Sequence, residues 1–278
     1  MRSAGCASLF VLEREFISGP LTPISRYNTP RPFCSGGMEV KEMDEIKPTA
    51  YDLMEFHVEA LFTHDRNMRL HTINEPWPGE APAPRFFLGR TVEGTAICRF
   101  RHDVPEKLIE QLKELCADEP AVTDFRTKPK HFEAYMNLLQ GERFTMGPCY
   151  LVPGDVAPSL QVVGITRENM TEYLRGGFEW LASEIDYTQP CIALVRDNRA
   201  VSVCRSVRIT SRAHEAGLET LDGFRGKGYA AAVVAGWAAS VREAGRLPLY
   251  STSWDNLASQ SVARKLGLLF YGVNFTVT

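Results

Sequence analysis

The stretch GFRGKGYAAAVV, Gly223 to Val234, decides how the rest of this chain is read. Glycines surround Arg225 and Lys227, and a run of small apolar residues follows. The local order is strand, turn, helix. HEAGLETL leads in, and the helix is expected to run to Ala244, with Gly245 at its end. The first N–H groups of any helix lack an intrahelical partner, and the helix dipole is positive there. Glycines remove the Cβ atoms that would keep an anion away from those groups. Arg225 and Lys227 add charge at the mouth. The physical reading is a phosphate or pyrophosphate site.

Three phosphate patterns compete for it. The Walker pattern needs four residues between its first glycine and Gly-Lys, then Ser or Thr. Here only Phe224 and Arg225 separate Gly223 from Gly226-Lys227, and Gly228 follows, so it fails. The dinucleotide fingerprint G-x-G-x-x-G/A is met by Gly226, Gly228 and Ala231. It also needs an acidic residue near the end of the next strand to hold a ribose. That strand is PLYSTSW, and Tyr250, Ser251 and Thr252 carry no acid. The third pattern, R/Q-x-x-G-x-G/A, is filled by Arg225, Gly228 and Ala230. A second block, Asn256 to Leu268 (NLASQSVARKLGL), follows after one helix and one strand.

In that order and spacing, the two blocks resemble the coenzyme A loop and the succeeding N-x-x-A/S helix of the GNAT superfamily of acyl-CoA N-acyltransferases. The run from Thr220 to Ala230, T-x-x-x-x-R-G-x-G-Y-A, looks closest to its FR47-like branch. The resemblance covers roughly residues 158–278. It implies an α+β fold of mixed α/β type, the GNAT fold with a central mixed sheet flanked by helices; residues 41–157, which carry no family motif, read as an extra N-terminal α+β domain. It implies acetyl-CoA as co-substrate, with no metal. By position it assigns coenzyme contacts to Phe224, Arg225, Gly226, Lys227, Gly228, Tyr229 and Ala230. Backbone donors come from about Leu218 through Thr220 to Leu221, and Asn256 and Ser259 face the pantetheine arm. Asn256 also reads as a helix N-cap.

The reaction implied is attack of an amine on a thioester, in a ternary complex. An alkylamine with a pKa near 10.4 is almost wholly protonated at neutral pH, so freeing its lone pair costs roughly 4–5 kcal/mol. A general base therefore helps, and the oxyanion needs donors. Glu215 and Glu219 lie four apart on HEAGLETL and share one face of a strand. A carboxyl inside an apolar strand has a raised pKa, which suits a base. Glu219 is favoured over Glu215, with His214 a further candidate. The tyrosine that often serves the family as acid would fall at 263, where this chain has Ala263. Tyr250, Ser261 and Tyr271 are nearby in sequence, and nothing selects among them. The expected acceptor is a small-molecule amine. Protein amines, and a non-catalytic acyl-CoA-binding module, are the alternatives.

Composition bounds the rest. The chain has 278 residues, with 31 basic against 34 acidic, which leaves no basic footprint for nucleic acid or a membrane surface. No apolar run approaches the roughly 18 residues of a spanning helix. The seven cysteines are odd in number and widely spaced, so free thiols in a reducing cytoplasm are expected rather than disulfides or zinc. His57, His64 and His71 recur every seven residues. Seven residues of helix rise about 10.5 Å, whereas zinc ligands lie about 2.1 Å from one ion, so this spacing is read as coincidence. Oligomeric state is not legible.

Along the chain, residues 1–40 read as a tail and 41–157 as an N-terminal α+β domain. Thr49 and Asp52 form a capping-box start for a helix through Leu53 and Phe56. RFFLGR and TAICRFR read as strands around Glu93-Gly94. Asp103 is expected to cap a helix with Pro105 in its first turn, HFEAYMNLL another helix, and FTMGPCYLV an edge strand because of Pro148. VPGDVAP reads as a linker. From 158 the expected order is β-αα-β-β-β-α-β-α-β, with SLQVVGI the first strand and Gly176-Gly177 breaking the first helical stretch.

Overall fold

The computed structural model describes residues 47–278, so the expected tail at 1–40 lies outside the described residues. Thr49 starts the first helix, α1 (Ala50–Leu61), with the expected reciprocal capping box to Asp52. A small antiparallel pair follows, β1 (Phe62–His64) and β2 (Leu70–Ile73). The sequence reading did not include that pair. Then come β3 (Phe86–Thr91), β4 (Ala96–Phe100), α2 (Glu106–Ala117), α3 (Phe132–Leu139) and β5 (Phe144–Leu151). The second part comprises β6 (Val163–Gly164), α4 (Met170–Tyr173), β7 (Cys191–Arg196), β8 (Arg199–Ile209) and β9 (Ala213–Thr220). It ends with α5 (Tyr229–Glu243), β10 (Leu247–Ser251), α6 (Leu257–Lys265) and β11 (Leu269–Val277).

Nine strands form one mixed sheet in the order β4-β3-β11-β5-β10-β9-β8-β7-β6. All neighbours are antiparallel except β9 and β10. The sheet crosses the expected junction at 157/158. β5, from the first part, lies between β10 and β11 of the second, and β11 lies between β5 and β3.

Residue alternation along the strands divides the packing into two layers. On one face α1 sets Leu53, Met54 and Val58 against Phe87, Cys149, Leu249 and Tyr271. Beside it, Leu174, Phe178 and Leu181 cover Ala193 and Val203. On the opposite face α5 buries Val233, Val234, Trp237 and Val241 against Cys204, Ala216 and Tyr250. On that face too, α2 and α3 close over Phe86, Leu88, Val273 and Phe275. Each large apolar side chain so enclosed contributes about 1.5–3 kcal/mol relative to an exposed one.

Three expectations are corrected. β5 is not an edge strand but is paired on both sides. Pro148 is tolerated because its ladder with β10 stops at the Cys149–Ser251 pair. Beyond that pair the Pro148 carbonyl still accepts from Thr252 N–H, and the missing proline N–H faces the end of β10. Asp103 does not cap α2, whose N-cap is Pro105; its carboxylate accepts instead from Arg101, at 2.8 Å. SLQVVGI contributes only the two residues of β6. The Gly176-Gly177 break is present, with φ of +79° and +148°. The turn between β7 and β8 uses Asp197 and Asn198, both left-handed. Among the described residues no helix is long and apolar enough to cross a membrane.

Candidate functional site

β9 and β10 are parallel neighbours only over Ala213–Glu215 and Leu247–Leu249. Beyond Glu215 β9 continues to Thr220 with pairing only to β8, so the two strands part. The α5 N-terminus stands at the open end of this split. Gly226 and Gly228 hold φ of +76° and +80°, a region costly to any residue with a Cβ. These two turns aim the chain into α5 with its first amides exposed. The N–H groups of Gly226 to Ala231 find no acceptor among the described residues. A Cβ on Gly228 would sit 2.7 Å from Lys265 Nζ, so the α6 ammonium stands at the mouth of the loop.

Between this helix end and α6 lies a cavity of about 340 Å³. Its wall includes Leu218, Thr220, Phe224, Arg225, Gly226, Gly228, Tyr229, Ala230 and Ser259, all expected coenzyme contacts. Leu221, Lys227 and Asn256 are not in that wall. Lys227 Nζ donates to Gly223 O at 3.2 Å, and Asn256 is the N-cap of α6, its Oδ1 accepting from Ser259 N–H. Arg225 is tied back to Asp222 at 2.9 Å and to Thr220 O at 3.3 Å. The wall also takes in Ala231, Ala258, Ser261, Val262 and Lys265. The last four follow from α6 periodicity once Ser259 is placed. Ala263 turns away and is buried in the core. Tyr250 is buried in the core, its hydroxyl 2.5 Å from the Oγ of the wall residue Ser259.

The carboxylates lie on the other face of β9 from Leu218 and Thr220. Glu219 is half-buried; burial holds its carboxyl above the ordinary range, with Arg205 and Arg225 pulling against it. Glu215 is fully buried and committed elsewhere: its Oε2 is 3.4 Å from His57 Nδ1. His214 is buried on the α5 face, its Nδ1 2.9 Å from Ser206 Oγ, which also accepts from Trp237 Nε1. The structure thus separates the three candidates: only Glu219 pairs partial access with a raised carboxyl. Tyr271 is buried against α1, away from the coenzyme cavity.

His57 is the functional-looking residue that the sequence reading missed. The seven-residue histidine spacing does not persist in space: His57 lies in α1, His64 in β1 and His71 in β2. No group of potential metal ligands occurs among the described residues. The His57 ring meets Glu215 at one nitrogen and, at Nε2, Asn274 Nδ2 (2.9 Å) and Cys149 Sγ (3.5 Å). Among the described residues Asn274 Oδ1 has no partner, and the two amide orientations exchange these atoms. With Oδ1 turned to the ring, an imidazolium donates to it at Nε2 and faces the Glu215 carboxylate at Nδ1 as an ion pair. Burial works to lower the His57 pKa, but its contacts with Cys149 and Glu215 outweigh it and push it up to about 10. No periodicity announced this contact, because its partners are far apart in sequence.

Residues 190–272 match the family model described as GNAT acetyltransferase. No curated protein matches the chain. Among solved structures, a GNAT-family protein from Novosphingobium aromaticivorans is 15% identical over 49% of this chain and 65% of its own, with a TM-score of 0.38. This chain therefore spans just under two thirds of that relative. A GNAT-family acetyltransferase from Colwellia psychrerythraea is 14% identical over 69% and 81%, with a TM-score of 0.41. A GCN5-related N-acetyltransferase-like protein from Streptococcus suis is 14% identical over 70% and 85%, also with a TM-score of 0.41.

Proposed function

We propose that this chain, a member of the GNAT superfamily, transfers an acyl group, acetyl in the first instance, from coenzyme A to the amine of a small molecule. The observation that carries this is the split between β9 and β10, opening onto the bare amides of α5. A diphosphate suits that helix end, where six N–H groups and the Lys265 ammonium converge without a carboxylate in the wall. The apolar lining from Leu218, Phe224, Ala258 and Val262 suits the arm that follows.

The N–H groups of β9 beyond Glu215 that β10 does not engage are the donors for the oxyanion. Glu219 takes the proton from the attacking amine. A raised carboxyl is a better match to that proton than an ordinary one, because base efficiency improves as its pKa approaches the working pH. The thiolate leaves without a tyrosine at 263. All five described cysteines are free thiols, which supports a cytoplasmic setting.

The test is to supply acetyl-CoA with a panel of amines and follow free thiol. Amine-dependent thiol release is expected. Coenzyme A binding with no release on any amine would leave a binding module, and binding unaffected by Gly228→Trp would overturn the loop assignment.

A further inference from the structure

Two arginines project from β8 onto the face that carries Glu219, and they differ in one respect. Arg208 is 4% exposed and has a carboxylate, Glu75, at 4.0 Å, with the Trp77 ring centroid 6.0 Å away. Arg205 is only partly buried, its guanidinium 4.7 Å from the Trp180 ring centroid. Among the described residues, however, no hydrogen bond and no ion pair reaches the Arg205 side chain; its Nε is buried without a partner, as is that of Arg208. Glu184 and Glu219 act on it only through the field, from beyond ion-pair distance, and burial depresses its pKa. A half-buried guanidinium with no carboxylate in ion-pair reach keeps its outer edge free for an anion from outside the chain.

Its position says what that anion belongs to. Arg205 is in register with Gly217, two residues before Glu219 on the same face of β9. Two residues along a strand and one strand across place the two α-carbons about 8 Å apart. The coenzyme's phosphates do not explain the charge, since the coenzyme cavity takes Leu218 and Thr220 from the opposite face. Trp180, 40% exposed, caps the guanidinium at the rim and leaves its edge as the binding surface.

Resting on the acyl-transfer reading above, we infer that the acceptor is a short amine carrying a carboxylate, which Arg205 holds while Glu219 takes the proton from its amine. In the transfer the amine nitrogen bonds to the acyl carbon, the C–S bond breaks, Glu219 receives the proton and coenzyme A leaves as thiolate. The carboxylate is a handle and is unchanged.

The experiment follows thiol release from acetyl-CoA with matched acceptors: glycine against glycinamide, β-alanine against β-alaninamide, and aminomethylphosphonate as the other anion. At least tenfold higher kcat/KM for the acid than its amide is expected, carried by KM. In Arg205→Met that acid-to-amide ratio falls at least tenfold, and Arg205→Lys restores part of it. Equal use of acids and amides, or a ratio unmoved in Arg205→Met, overturns the inference while leaving acyl transfer intact. Preference for the phosphonate overturns the carboxylate assignment. No thiol release from any amine overturns the transfer reading, and this inference with it. A thermal midpoint on each variant separates lost recognition from lost folding.

Discussion

His57 of α1 and Glu215 of β9 meet at 3.4 Å with neither side chain in contact with water. The pair ties α1 to β9 across one face of the sheet. Removing one partner leaves the other as an uncompensated buried group, so His57→Ala is expected to cost about 3–5 kcal/mol of stability. The pH dependence has a definite sign. The folded pKa of His57 lies near 10, above its unfolded value. Its contribution is fully present below about pH 6.5 and is lost as pH rises toward the folded value. Urea unfolding at a series of pH values should show that decline in the native protein, and a flatter alkaline limb in His57→Gln. An identical limb in both would show that the ring is not charged in the folded state.

Glu219 differs from Glu215 in having no histidine partner and in being only half-buried. As the base it must be deprotonated, so activity should rise with pH through a pKa above the ordinary carboxylate value. Glu219→Gln should lower kcat/KM by about 10²–10⁴-fold and remove that rising limb. The measurement is initial thiol release against pH. Full activity with the profile unchanged would exclude Glu219. Glu215→Gln should show first as lost stability, which distinguishes the two carboxylates.

The glycine loop was legible because its function acts through the backbone, where the residue type itself reports the conformation: Gly226 and Gly228 do hold positive φ. The Asn256 block was legible for a similar reason, since a cap and a helical period are local. Position within the sheet was not. Pro148 suggested an edge strand, yet β5 is central, because which strands flank it depends on where β10 ends. Arg205 and His57 were invisible for the same reason. The meaning of each lies in what stands across a strand or beneath a helix, and alternation along one segment does not record that. The junction at 157/158 follows a change in composition, but the hydrogen bonds cross it.

Gly228 offers a test of the loop through the backbone alone. A left-handed conformation costs a non-glycine residue about 1–2 kcal/mol, and the Cβ would approach only the mobile end of Lys265. Gly228→Ala should therefore raise the coenzyme A Kd by about 5–30-fold, as that strain converts at 1.4 kcal/mol per decade. Gly226→Ala carries the same strain with open space around its Cβ and should weaken binding by a similar factor. Calorimetric titration with coenzyme A reads both. A change confined to the acceptor KM would place the loop at the wrong substrate.

His214 works on stability in the direction opposite to His57. Burial, reinforced by Arg246, pushes its pKa down to about 4. The folded protein holds it neutral, 2.9 Å from Ser206 Oγ and beneath Trp237. The unfolded chain protonates it near pH 6.5. Its contribution is therefore present above that value and is lost as pH falls toward 4. With His57 losing its contribution on the alkaline side, the two histidines together place the stability maximum near pH 6.5. His214→Gln should flatten the acid limb alone, and His57→Gln the alkaline limb alone. Because the two rings lie on opposite faces of β9 and share no partner, their effects should add in the double variant. Urea midpoints of the three variants between pH 4 and 9.5 make the comparison, and a coupled double variant would mean that β9 transmits one ring's charge to the other.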